Sequence, residues 1–339
     1  MSSPIVPVID HQVSPTISVW HGPGDERVVD GHPRDLSALV GRTDGMLWVH
    51  IDSTKPAQHA LLEHLFHFHP LAIEDTLNPS TRVKIEEYEG YLFLVVRAVT
   101  FCDSTTDPYD LDTQDLFAFL GPHHLVTVAA GPVPAVNAVA DRLARSPDML
   151  ARGLDRLLHA LVDETIDAYF PILNQIDEFV DGLEERVFVA FDDTALRDIF
   201  QVKRLVLSLR RHLAPQREVL ATLTNRPTPL LRTGTQLYFR DIYDHVLRIN
   251  DSIDTYRDLL SSTMESYLTQ VSNRLGATTK ALSVLATMSL PFVVISGMWG
   301  MNFVKIPLSD SPYGFWIMLV LQLGIGLALL FLLRRRRIL

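Results

Sequence analysis

The rhythm of hydrophobic and polar positions changes three times along the chain. Across residues 1–132, short runs rich in Val, Phe, Tyr and Trp are bounded by turn residues and predict β-strands. They are TISVWHG, MLWVHIDS, YLFLVVRAVTF, DLFAFLG and HLVTVAAG. Helical spacing lies between them, as from Pro56 to Phe68, so this part reads as an α/β domain. Residues 133–234 are helical in period, with two long amphipathic helices expected over Leu154–Val189 and Thr194–Asn225. The tract NRPTPLLRTG, with Pro227, Pro229 and Gly234, then breaks the pattern.

A single stripe organises residues 235–300. Ile242, Val246, Ile249, Ile253, Tyr256, Leu260, Met264, Tyr267 and Val271 recur at steps of three and four, which is a coiled-coil-like spacing. No proline interrupts Thr235–Leu290, and Gly276 is its only glycine. One helix is therefore expected to run from this stalk into the charge-free stretch that begins at Ala281, about 96 Å from Thr235 to Met298. Such a helix leaves no flexible joint to absorb motion. It serves either as a mechanical link or as a rigid packing element.

Two stretches are long and apolar enough to span a bilayer: 281–300 and, after a loop at 301–314, 315–333. Their charge-free cores, Ala281–Met298 and Phe315–Leu333, each cover about 27–29 Å as a helix. Pro291 lies inside the first and is tolerated where neighbours satisfy the freed carbonyl. Arg334–Arg337, within the tail 334–339, follow the second span directly and place the C-terminus in the cytoplasm. Two spans then bring the N-terminal part to the same side, with both termini cytoplasmic in a multi-pass protein of the cytoplasmic membrane.

Charge and composition narrow the function. The formal net charge of the 339 residues is −10, and the four arginines of the tail leave −14 on the rest. That balance disfavours nucleic acid and suits cations or a solvated acidic surface. Cys102 is the only cysteine, which fits a reducing compartment, and the first residues contain no signal-peptide pattern. No P-loop, strand-linked GxGxxG, GxSxG or HExxH occurs, so an enzyme is not expected.

Gly300-Met301-Asn302, at the end of the first of two C-terminal spans, resembles the signature of the CorA-type magnesium transporter family. HPLAIEDTLNPSTRVKIEEYEGYLFLVV, with His69, Pro70, Glu74, Asp75, Arg82, Lys84 and Tyr88, resembles the family's N-terminal motif. YFRDIYDHVLRINDSIDTYRDLLSSTMESYL and VSNRLGATTKALSVLATMSLPFVVISGMWGMNF resemble its long pore helix. The resemblance implies a funnel-shaped homopentamer: an α/β cytoplasmic domain, a long-helix stalk and a two-helix transmembrane domain embedded in lipid. It implies passive passage of Mg2+, with Co2+, Ni2+ or Zn2+ in some members, and closure by intracellular Mg2+ bound between subunits.

Carried onto this chain, the resemblance sets Gly300, Met301 and Asn302 at the pore entry. The amide oxygen of Asn302 can accept hydrogen bonds from the waters of a hydrated ion, which suits an ion slow to dehydrate. Asn is also common at helix C-termini, which is the alternative role. Gly276, Thr279, Ser283, Leu290 and Gly297 fall on or near one helix face, Leu282 and Leu290 match positions where the family places an apolar constriction, and these six are the pore-lining candidates. Small-residue helix packing explains Thr279 and Ser283 equally well. The family often has a polar ring where this chain has Gly276 and a hydroxyl where it has Val293. The loop carries only Lys305 and Asp310, which fits a zinc-type or divergent member.

Glu74, Asp75 and Asp241 match the family's regulatory positions. His245 lies one turn after Asp241, Glu265 aligns with a further acidic position, and Asp177 is a candidate partner. His59, His64, His67 and His69 lack the ordered four-ligand spacing of structural zinc and read as surface and core histidines. A membrane-anchored coiled-coil scaffold without transport is the rival reading of the whole chain.

Overall fold

The computed structural model describes residues 14–23, 26–29, 33–78, 81–102, 105–146, 148–190, 194–301, 306–308 and 311–336. Asn302, Lys305, Asp310 and Arg337 lie outside the described residues. The chain divides into two compact units, one of residues 1–186 and 192–263, the other of residues 187–191 and 264–339.

The first unit is built on a seven-stranded sheet. Its strands are β1 (Ile17–His21), β2 (Arg27–Val29), β3 (Met46–Asp52), β4 (Lys84–Tyr88), β5 (Tyr91–Phe101), β6 (Leu111–Leu120) and β7 (His124–Ala129). Their spatial order is β2-β1-β3-β7-β6-β5-β4, and only β3 and β7 run parallel. The five sequence-predicted strands are all present. The two that periodicity does not reveal, β2 and β4, form the edges of the sheet. KIEEY of β4 has few apolar positions because an edge strand buries little.

Short helices α1 (Pro33–Val40), α2 (Pro56–His59), α3 (Leu61–His64) and α4 (Pro70–Asp75) cover one side of this sheet. Leu36, Leu62, Phe68 and Ala72 pack there with Val49, Phe93, Phe119 and Val126 in one apolar cluster. The expected helix Pro56–Phe68 is broken at Ala60 and its second part ends at His64, and His67, with φ of 54°, turns the chain away from a right-handed helix. The histidines here serve local structure. His59 Nε2 lies 2.7 Å from Thr76 Oγ1, His67 Nδ1 lies 3.0 Å from the Glu63 carbonyl, and His69 Nδ1 accepts from the Leu71 amide at the start of α4.

Helices α5 (Pro134–Arg145), α6 (Asp148–Ala151), α7 (Leu154–Asp167), α8 (Tyr169–Glu185) and α9 (Ala195–Asn225) complete the unit with the first part of α10 (Thr233–Trp299). One buried network ties α8 and α9 to β5. Gln216 Nε2 donates to the Arg97 carbonyl at 3.0 Å and to the Tyr169 hydroxyl oxygen at 2.6 Å, and the Arg97 guanidinium forks onto Asp115 at 2.6 and 2.8 Å.

The single helix expected over Leu154–Val189 is divided at Ala168. Pro171 supplies the reason: it has no amide to bond the Asp167 carbonyl, and its ring crowds that position. The stripe on α10 is real, with Ile242, Val246, Ile249, Ile253 and Leu260 all buried. Its neighbours are in the same chain: Tyr256 donates to the Leu173 carbonyl, Thr263 to Glu184, and Arg210 of α9 lies 3.4 Å from Asp254.

Where α7 begins, Gly153 has φ of 116°, and a Cβ there would strike the guanidinium of Arg232. That guanidinium pairs with the buried Asp155 carboxylate, which also accepts from Thr235 Oγ1 at 2.6 Å. Burial alone would raise the Asp155 carboxyl, but the bonds from Arg232 and Thr235 hold it below its ordinary value. Asp155→Ala leaves a cation and a hydroxyl without their acceptor and is expected to cost about 3 kcal/mol, the low end for a broken buried pair because Arg232 is half exposed. Melting of the purified full chain measures this. The Asp155 contribution is complete above the unfolded carboxyl pKa of about 3.9 and is lost as pH falls through the lower folded value.

The second unit contains the C-terminal part of α10 and α11 (Gly314–Arg335). Both helices are long and apolar enough to cross a membrane.

Candidate functional site

Helix α7 carries Asp163 and Asp167 one turn apart, so their carboxylates share a face. Helix α10 carries Asp241 and His245 with the same spacing. The break at Ala168 ends α7 beside α10, and the two pairs meet. His245 Nδ1 lies 3.2 Å from Asp167 Oδ1, and its Nε2 lies 3.8 Å from Asp241 Oδ2. One ligand atom from each of Asp163, Asp167 and His245 falls within 4.8 Å of the others. The ring of Phe170 meets the imidazole edge-on at 5.6 Å and fixes its plane.

The electrostatics of the cluster suit a cation. Burial raises the Asp163 carboxyl above its ordinary value, and the neighbouring carboxylates of Asp167, Asp241 and Glu164 push in the same direction, against the pull of His245. A divalent ion would relieve that repulsion. Two or three carboxylate oxygens suit Mg2+, which keeps several of its waters, while the imidazole nitrogen suits Co2+, Ni2+ or Zn2+. Asp241 and His245 were legible as candidates. Asp163 and Asp167 were not, although two acids one turn apart just ahead of a helix-breaking proline are the signal in VDETIDAYFP.

The other regulatory candidates lie elsewhere. Asp75, at the end of α4, is 2.8 Å from Lys84 Nζ, which also holds Glu86 at 2.9 Å, and Glu74 is exposed. Within one chain neither joins the Asp241 cluster. Asp177 sits on α8 against Tyr256, whose hydroxyl is raised to about 12 by burial and by Asp177. Glu265 is exposed on α10.

In the membrane unit, α11 packs on one side of α10. Gln322 Nε2 donates to Ser296 Oγ at 2.8 Å and to the Phe292 carbonyl at 3.3 Å. The Phe292 ring lies over Gly326, where a Cβ would be 2.7 Å from it. At about 100° per residue, Gly276, Thr279, Ser283, Leu290 and Gly297 point away from the side carrying Phe292, with Leu282 on the flank. All six are exposed, Leu282 and Leu290 by 62% and 66%. The expected pore face thus lies opposite the side that meets α11, on an apolar stretch of α10 in which no residue is buried. Gly300 ends the helix with its amide on the Ser296 carbonyl at 3.0 Å, and Met301 is exposed.

The family profile described as CorA-like Mg2+ transporter protein matches residues 43–335. The chain is 31% identical over 283 residues to the putative metal ion transporter YfjQ of Bacillus subtilis, covering 84% of this chain and 86% of that protein. It is 32% identical over 258 residues to the cobalt/magnesium transport protein CorA of Thermotoga maritima, covering 76% and 73%. The complete structure of the CorA magnesium transporter from Methanocaldococcus jannaschii superposes with a TM-score of 0.80 at 21% identity, over 94% of this chain and 98% of that one.

Proposed function

The chain belongs to the CorA-like Mg2+ transporter family, whose members are transporters of divalent metal ions rather than enzymes, and from that premise we propose how it works. It conducts Mg2+, with Co2+ and Ni2+ as further cargo, passively across the cytoplasmic membrane. Five copies surround one path, the α10 face of Leu282, Ser283, Leu290 and Gly297 lines it, and Asn302 receives the hydrated ion at its outer end. Both termini face the cytoplasm, as the arginines after α11 favour. Intracellular Mg2+ holds the path closed.

The observation that carries the reading is the placement of Gly276, Thr279, Ser283, Leu290 and Gly297 opposite the α11 contact at Phe292 and Ser296. A path for a hydrated cation needs small residues and a narrow apolar ring that closes by dewetting, and the side of α10 opposite α11 carries both. Gln322, buried against Ser296, fixes which face is left open.

The zinc alternative draws on two features, the imidazole of His245 in the acidic cluster and a loop whose charges cancel. Flux into liposomes separates the readings. Purified protein is expected to admit Mg2+ and Co2+ at comparable rates, each blocked by excess of the other. Uptake of Zn2+ alone would establish the zinc reading, and no uptake of any divalent ion by an assembled oligomer would favour the scaffold.

A further inference from the structure

Away from the acidic cluster, two cavities meet where α9 crosses the sheet. One, about 610 Å3, is lined by Arg82, Arg211, Arg97, His212, Pro215 and Glu218 among others. The second, about 950 Å3, shares Arg97 and His212 and is lined further by Thr54, Asn78, Thr100 and Gln114 and by the carboxylates of Asp112 and Asp115, the latter paired with Arg97. In a chain of net charge −10, three arginines and a histidine on one cavity wall are an unusual local excess.

These arginines differ in what holds them. Arg97 is committed to Asp115 and to the Thr81 carbonyl, so it forms a fixed wall whose charge is compensated. Arg82 and Arg211 make no ion pair among the described residues. Lys84, two residues from Arg82, instead binds Asp75 and Glu86. Burial, then Arg97 and Arg211, lower the His212 pKa, so the imidazole is a neutral donor or acceptor beside two arginines that share the cavity with one carboxylate, Glu218.

A helix feature without other use lies at the same place. Pro215 stands in the interior of the 31-residue α9. Having no amide, it deprives the Arg211 carbonyl of its helical partner. The cavity wall therefore offers forked donors and a freed acceptor side by side, against Ser, Thr and Asn groups across Arg97. Guanidinium groups match phosphate oxygens through paired hydrogen bonds.

We infer that these adjoining cavities bind a small phosphate ester, with the phosphate held by Arg82, Arg211 and His212 and its hydroxyl-bearing body lying toward the larger, Thr-lined cavity. This site is separate from the acidic cluster and needs no metal. It gives the transporter a cytoplasmic input other than the cation itself.

Calorimetry on the full chain in detergent tests this, with EDTA present so that no cation bridges the ligand. The probes are AMP, glucose 6-phosphate, inorganic phosphate and adenosine. At least one ester is expected to bind about tenfold or more tightly than inorganic phosphate, and adenosine not to bind. Arg82→Gln with Arg211→Gln should weaken the ester on the order of tenfold or more, two charge-assisted contacts being lost. Arg204→Gln, on α9 away from the cavity lining, should change nothing. Glu218→Gln removes the one carboxylate on the smaller cavity and should tighten binding a few-fold, a gain that misfolding cannot produce. Failure of both esters to bind, binding unchanged in the double variant, or inorganic phosphate binding as well as the esters would overturn the inference. Flux of cations is read separately, so loss of transport does not bear on it.

Discussion

Asn302→Ala is expected to abolish divalent uptake, a loss of tenfold or more in liposome flux, while the oligomer still assembles. The mouth of the path must attract an ion that gives up its water reluctantly. A ring of neutral amide oxygens can accept hydrogen bonds from the coordinated waters and still release the ion, because it adds no net charge. Alanine removes the acceptor and leaves the helix end above it unchanged, where the Gly300 amide bonds the Ser296 carbonyl. Asn302→Asp separates an ion site from a helix cap. Both roles tolerate the carboxylate sterically, but a charged ring should bind Mg2+ more tightly and pass it more slowly, whereas a cap would be indifferent. Wild-type flux from an assembled Asn302→Ala oligomer, verified by native mass measurement, would remove Asn302 from the path.

Much of the fold was legible because burial imposes a period. YLFLVVRAVTF is apolar at consecutive positions because β5 is covered on both faces, by Phe68 and its neighbours on one and by Tyr169 and Gln216 on the other. KIEEY was not legible, since Lys84 and Glu86 pair with each other rather than pack. The stripe from Ile242 to Val271 was visible, but a heptad-like pattern does not name its partner. The same spacing serves a neighbouring chain or, as found, α7, α8 and α9 of its own.

The acidic cluster shows the sharper limit. Asp241 and His245 are one turn apart in sequence and were legible as a pair. Their acidic partner Asp167 is 78 residues away from His245, and only the packing of α7 against α10 brings it there. Asp177, in the acid-rich QIDEFVDGLEER, has the same residue type but lies further along α8, against Tyr256. Glu74 and Asp75 are adjacent in sequence, yet Lys84 engages Asp75 from the neighbouring strand. Whether they reach a cation on another copy depends on contacts that no single chain encodes in its periodicity.

The second large effect is expected at that cluster. Asp163→Asn together with Asp241→Asn should weaken Mg2+ binding to the cytoplasmic region more than tenfold and abolish the rise in melting temperature that Mg2+ gives the wild type. The physical basis is the mutual repulsion of Asp163, Asp167 and Asp241, which adds to the burial that raises the Asp163 carboxyl. A bound ion removes it, and at 100 times its Kd stabilises the bound state by about 2.7 kcal/mol. The amides keep shape and volume but remove the repulsion, so the apo variant should melt no lower than the apo wild type. Helix α10 carries Asp241 and, further on, Leu282 and Leu290 without a break in the helix. An ion that favours one packing of α10 therefore biases the closed state by its differential affinity for that state. Inhibition of flux by internal Mg2+ should weaken in the double variant, and protease should cut it at Mg2+ concentrations that protect the wild type. His245→Asn is the companion test of ion choice: it should reduce Co2+ and Zn2+ binding more than Mg2+, since imidazole is the softer ligand. If the double variant loses Mg2+ binding yet is inhibited like wild type, the cluster is a structural site and regulation passes to Glu74 and Asp75 at a subunit interface, where Asp75→Asn becomes the decisive substitution.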